Sequence, residues 1–98
     1  MSAQSEWPFK DAKNTAVFST VSIMKRGEPV CRVYHDDDGA WQFLPGGRVT
    51  MADAMVVALS EVVGTDASLL GLADLPLGWV ATRENPQSKW QRSQRTTD

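Results

Sequence analysis

One cysteine and one histidine stand in this chain, Cys31 and His35. A thiol and an imidazole make a nucleophilic pair only within hydrogen-bond reach of each other. Four residues apart along an extended segment, these two are separated by about 13 Å, so no catalytic pair is expected. They also cannot complete a zinc site, which takes four nitrogen or sulfur ligands in its structural form. Asp36, Asp37 and Asp38 follow directly and put three carboxylates in a row. A calcium loop starting at Asp36 needs a bidentate carboxylate at its twelfth position, where this chain has Gly47. The acidic run ends in Gly39 and reads as a solvated turn, because Asp and Gly favour turns. No catalytic residue, metal site or cofactor is expected from these residues.

A second constellation is Pro45-Gly46-Gly47, expected to follow a strand and precede a helix that ends at Gly64. This order is similar to the entry into the Nudix hydrolases, whose helix carries glutamates around magnesium. Asp53 and Glu61 are the acidic residues available here, with Val57, Ala58, Val62 and Val63 where further carboxylates are wanted. The spacing from the glycines is also about one helical turn short. Two carboxylates among apolar neighbours do not make the oxygen-rich shell of a hard cation. A degenerate Nudix-like or other small hydrolase is therefore the alternative reading, and a plain strand-to-helix loop the leading one.

Four tryptophans and a set of arginines offer contact chemistry instead of reaction chemistry. Trp41 and Trp79 fall within expected strands and are read as core. Trp7 and Trp90 lie in polar surroundings, and tryptophan is enriched at the energetic centres of interfaces. Arg83, Lys89, Arg92 and Arg95 bias the C-terminal end to positive charge. Trp90 with Arg83 and Arg92 forms the candidate partner contact, since arginine suits planar recognition of carboxylates.

These groups must be positioned by a small framework. The chain has 98 residues, 42% hydrophobic and 22% charged, with a net charge of −2. That is the size and balance of one ordinary globular domain. A pI near 5.3 does not suggest a nucleic-acid partner. No apolar run is long enough to span a bilayer, and the first ten residues have no signal-peptide pattern. With one cysteine, no intrachain disulfide forms, and a reducing, cytoplasmic setting is expected.

The residue pattern predicts a strand over Thr15–Met24, a turn at Lys25–Glu28, and a second strand from Pro29 through His35. Asp36–Gly39 should close a hairpin with a third strand over Ala40–Leu44, because Asp-Gly supplies the positive φ of such turns. Thr50 is read as the N-cap of the main helix. Its apolar stripe is Ala52, Met55, Val56, Leu59, Val62 and Val63, and it stops at Gly64. Asp66 should cap a short helical turn through Leu70. A type II turn over Leu75–Gly78 should lead into a fourth strand over Trp79–Arg83. A turn at Asn85-Pro86 and a fifth strand over Lys89–Arg92 complete the order β-β-β-α-short α-β-β. The fold class is α+β, a four- to five-stranded antiparallel sheet on one main helix. Residues 1–98 form a single domain, with 1–6 and 93–98 as flexible ends.

Two stretches together carry a resemblance. His35-Asp36-Asp37-Asp38-Gly39-Ala40-Trp41-Gln42-Phe43-Leu44 is similar to the D-G-x-W-x-F hairpin of a family of small bacterial proteins. Asp66-Ala67-Ser68-Leu69-Leu70, followed by Leu72 to Trp79, resembles that family's D-P-S-L … L-P-x-G segment, with Ala67 in place of the proline. The likeness covers about Val30 to Trp90. Some members are classed as immunity proteins because they lie beside polymorphic toxins, and no catalytic residue carries over. The resemblance implies a bacterial, non-catalytic protein that binds a toxin or another protein. A structural homodimer joined through a sheet edge is the further alternative. Neither nucleic acid nor membrane is an expected partner.

Overall fold

A computed structural model describes residues 7–95. Six strands form one mixed sheet in the order β4-β1-β3-β2-β5-β6. The α+β class is as expected, but the sheet is larger than the sequence pattern predicts and, among the described residues, no long helix backs it. Among the described residues, no helix is long and apolar enough to cross a membrane.

β1 (Ala16–Thr20) ends sooner than the β-branched run Thr15–Met24 suggests. Thr20 turns the chain into helix α1 (Val21–Arg26), its side-chain oxygen accepting from the Ile23 N–H at 3.2 Å. Gly27 closes that helix at φ 75°, a conformation glycine adopts without strain. Lys25 and Arg26 sit in its last turn, favourably placed against the helix dipole. The two caps outweigh the strand preference of Val21 and Ile23, and Ile23 reaches the core from the helix.

β2 (Arg32–His35) and β3 (Trp41–Leu44) make the expected hairpin. Gly39 takes φ 94°, and the Asp38 carboxylate accepts from the Ala40 N–H at 3.0 Å. β3 inserts between β2 and β1 and runs parallel to β1, so the sheet is not purely antiparallel.

The main helix is where the structure departs most from expectation. Thr50 makes no side-chain cap, and Met51–Asp53 is a single 3₁₀ turn. Ala54–Ala58 is a strand, β4, and only Leu59–Val63 is helical, as α2. The apolar run Met55–Val57 fits either a helix stripe or a strand. Pairing decides it, because β4 matches β1 over five residue pairs, from Ala16–Ala58 to Thr20–Ala54. Leu59, Val62 and Val63 keep their expected core role.

Asp66 caps a 3₁₀ helix over Ala67–Leu72, accepting from the Ser68 N–H at 2.9 Å. The following turn is shifted one residue along, so that Gly78, at φ 81°, takes the position where a type II turn wants glycine. The Trp79 N–H donates to the Pro76 carbonyl across it. β5 (Trp79–Thr82) follows, and β6 (Gln91–Gln94) pairs with it antiparallel. β6 runs on through Ser93 and Gln94, two residues of the stretch expected to be a flexible tail; residues 1–6 and 96–98 lie outside the described residues.

One face of the sheet makes the core, from Val17, Val33, Trp41, Phe43, Val57 and Ala81. Ile23, Leu59, Val62, Leu69 and Leu72 close over it from the helical segments, and Leu75 from the loop that follows.

Candidate functional site

Arg83 follows β5 and turns inward. It is 8% exposed. Its Nε and Nη2 donate to the Val30 carbonyl at 3.0 and 2.9 Å, Nη1 donates to Ser68 Oγ at 3.2 Å, and Nη2 meets the Asp66 carboxylate at 2.5 Å. The Trp90 ring lies over the guanidinium at 4.3 Å and donates its own N–H to Ser68 Oγ. Burial acts to raise the Asp66 carboxyl, but the bonds from Arg83 and Ser68 outweigh it and hold the group below its ordinary value. The structure thus brings Arg83 and Trp90 together, as the expected contact requires, but as an internal clasp. Trp90 is half-buried against the core. Arg92 stays exposed and bonds the Gly71 carbonyl and Asp74, whose carboxyl it holds below its usual range. Arg83 therefore has no free edge to offer a partner.

The other sequence candidates are also placed by structural bonds. His35 stacks on Trp41 with ring centres 3.8 Å apart, and its Nδ1 lies 2.7 Å from the Leu75 carbonyl. A carbonyl only accepts, so the ring carries a proton on that nitrogen. Trp41 Nε1 donates to the Asp11 carboxylate at 3.2 Å. Cys31 is buried beneath Gly46. Arg32 donates to the carbonyls of Pro45 and Gly47 at 3.0 and 2.8 Å. The glycine loop therefore aims carbonyl oxygens at a cation and is tied down by this chain's own arginine. Asp53 and Glu61 do not share a helix, because β4 separates them. Among the described residues, no three of His, Cys, Asp and Glu gather as metal ligands. A cleft of about 530 Å³ lies beside this loop, lined in part by Arg32, Thr82, Glu84 and Lys89.

The remaining feature is the sheet's second face. Strand alternation sends Phe18, Gln42, Tyr34 and Val80 away from the core. The register aligns them in one row across the sheet: Val56 beside Phe18, Phe18 beside Gln42, Gln42 beside Tyr34, Tyr34 beside Val80, and Val80 beside Ser93. Phe18 is 49% exposed and Val56 59%. Arg95 stacks over the Tyr34 ring at 4.7 Å and is held there by Asp36 at 2.8 Å. The sequence signal for this face is Phe18, which alternates with buried Val17 and makes both faces of β1 apolar. Its partners in the row depend on register and were not readable in advance.

Comparisons of the chain with protein-family models, with curated proteins and with solved structures find no match.

Proposed function

We propose that this chain is a non-catalytic, cytoplasmic protein-binding domain, and that its contact surface is the open face of the sheet. The row Val56, Phe18, Tyr34 and Val80 carries this reading. Large apolar side chains left together on a surface mark contact sites more often than scattered single ones do. The face has an aromatic centre in Phe18 and Tyr34, Gln42 held by its amide donating to the Asp36 carboxylate at 2.9 Å, and Arg95 at the margin. It suits a folded protein with an apolar patch. The immunity-type role that the sequence motifs imply, occlusion of a toxin, fits such a surface. The internal use of Arg83 favours the sheet face over the Trp90 region as the contact.

The test is co-expression with the polypeptide encoded beside this chain, followed by size-exclusion chromatography and titration calorimetry. A stoichiometric complex is expected. Phe18→Asp should weaken it by about 30-fold or more, the scale of an interface hot spot, while leaving the thermal transition within a few degrees. A complex that forms equally well with Phe18→Asp and Tyr34→Ala would remove the sheet face from consideration.

A further inference from the structure

The two edges of the sheet are built differently. β6 reads Gln-Arg-Ser-Gln, is exposed throughout, and has Arg92 tied to Asp74. β4 reads Ala-Met-Val-Val-Ala, with no charge and no proline. Natural edge strands usually carry charges, prolines or bulges that discourage pairing with another chain. Among the described residues, β4 has β1 as its one neighbour and none of these devices.

Its free backbone groups can be enumerated. The Leu59 N–H donates to the Thr15 carbonyl at 2.8 Å. With Ala16 opposite Ala58, Thr15 and Leu59 are a hydrogen-bonded pair. Such pairs alternate along antiparallel strands, so Val17–Val57 and Ser19–Met55 are the next two. The backbone of Met55 and Val57 therefore faces β1, and that of Ala54, Val56 and Ala58 faces outward. The Ala54 N–H is already occupied by the Met51 carbonyl. Ala58 is the N-cap of α2, and an N-cap carbonyl accepts the first bond of its helix. Among the described residues, four outward groups remain without a partner: the Ala54 carbonyl, the Val56 N–H and carbonyl, and the Ala58 N–H.

We propose that β4 pairs with β4 of a second copy of this chain, antiparallel, about a two-fold axis at Val56. That arrangement matches all four groups. Each Val56 N–H meets the Val56 carbonyl of the other copy, and each Ala58 N–H meets the other copy's Ala54 carbonyl. A shift of register by two residues leaves some of the four without a partner. The side chains are equally self-complementary. Ala54 falls opposite Ala58, Met55 opposite Val57, and Val56 opposite itself, so the strand reads nearly the same in both directions. Met55 and Val57 lie on the core side and the two Val56 side chains on the open side. The apolar row through Phe18 thus continues from one copy into the next. This goes beyond the proposed partner contact, which uses side chains of the open face, Val56 among them, and not the outward backbone of β4. The paired strand is short, well below the area of a standard stable interface, so the dimer dissociates on dilution, with a Kd on the order of 100 µM.

Sedimentation velocity over a concentration series tests this with wild type, Val56→Lys and Val56→Asp. Wild type should shift reversibly from monomer to dimer. Each variant places like charges face to face and should weaken the dimer by at least about tenfold. An equimolar mixture of the two should restore it, because only residue 56 opposes itself. Amide exchange on the wild-type chain gives a readout independent of folding of the variants. The Val56 and Ala58 amides should be protected at high concentration and exchange faster on dilution, while the Ala54 amide is unaffected. Wild type that stays monomeric at about 1 mM, a mixture that stays monomeric with both variants folded, or a Val56 amide indifferent to concentration would overturn the proposal.

Discussion

Arg83 shows how much one side chain decides here. Its guanidinium satisfies the Val30 carbonyl twice, bonds Ser68 and Asp66, and lies under Trp90. It ties the segment before β2, the 3₁₀ helix cap and the segment before β6 into one joint. Leaving a buried carbonyl without donors costs about 1–3 kcal/mol, so this joint is a stabilising element of the fold. Asp66 gives it a pH signature. Its carboxyl is lowered in the folded chain relative to the ordinary 3.8. Stability from that shift is complete above the unfolded value and disappears as pH falls through the folded one. In urea titrations from pH 7 downward, wild type should lose this contribution only below about pH 4. Asp66→Asn should be less stable at neutral pH and should lack that part of the acid-side decline. An identical acid profile for the two proteins would show that the pair contributes nothing.

At the scale of elements, the Asp36–Gly39 turn and the Asp66 cap were legible, whereas the Thr50 cap and the long helix expected after it give way to a 3₁₀ turn, a strand and a five-residue helix. The Asp36–Gly39 hairpin, the Asp66 cap and the β5 start follow residue types whose preferences act over two to four positions. Met55 to Val63 is different. A helical period of 3.6 and a strand period of 2 overlap on so short an apolar run, and β1 decides between them by offering a five-pair ladder to Ala54–Ala58. Gly78 tests the local side of this account. It sits at φ 81°, its N–H donates to the His35 carbonyl, and its carbonyl accepts from the Arg95 N–H. A Cβ there would stand 2.7 Å from an Asp37 carboxylate oxygen. Gly78→Ala should lower stability by about 1–2 kcal/mol from the left-handed backbone alone, with some further loss from the Asp37 contact. Chemical denaturation measures it, and a neutral result would mean that the turn readjusts.

At the scale of the whole molecule, an aromatic column joins the N-terminal segment to the sheet. Trp7 meets Phe9 at 5.2 Å, Phe9 meets Trp41 edge-on at 5.3 Å, and Trp41 lies 5.9 Å from Phe43 and stacks on His35. Trp41 is 1% exposed and central to this column. Trp41→Ala should cost about 3–5 kcal/mol, the usual penalty for removing a buried aromatic. That is a large share of a small domain's stability. Urea denaturation should display the loss as a lower midpoint, and a change below about 1 kcal/mol would mean the column adapts around the gap.

The residue order by itself determined the α+β class, the β2–β3 hairpin, the short capped helix after Asp66 and the burial of Trp41 and Phe43. Each rests on local chemistry, where an Asp-Gly pair, a capping carboxylate or strict alternation acts almost independently of the rest of the chain. Only the tertiary structure decided that β3 runs parallel to β1, that Ala54–Ala58 is an edge strand, and that Phe18, Tyr34 and Val80 share one open face. These depend on which strands lie side by side, and pairing partners distant in sequence leave no local trace. The inward turn of Arg83 belongs with them. An arginine beside polar residues looks the same whether its guanidinium meets solvent or a buried carbonyl, and the Val30 carbonyl comes within its reach only because β5 pairs with β2.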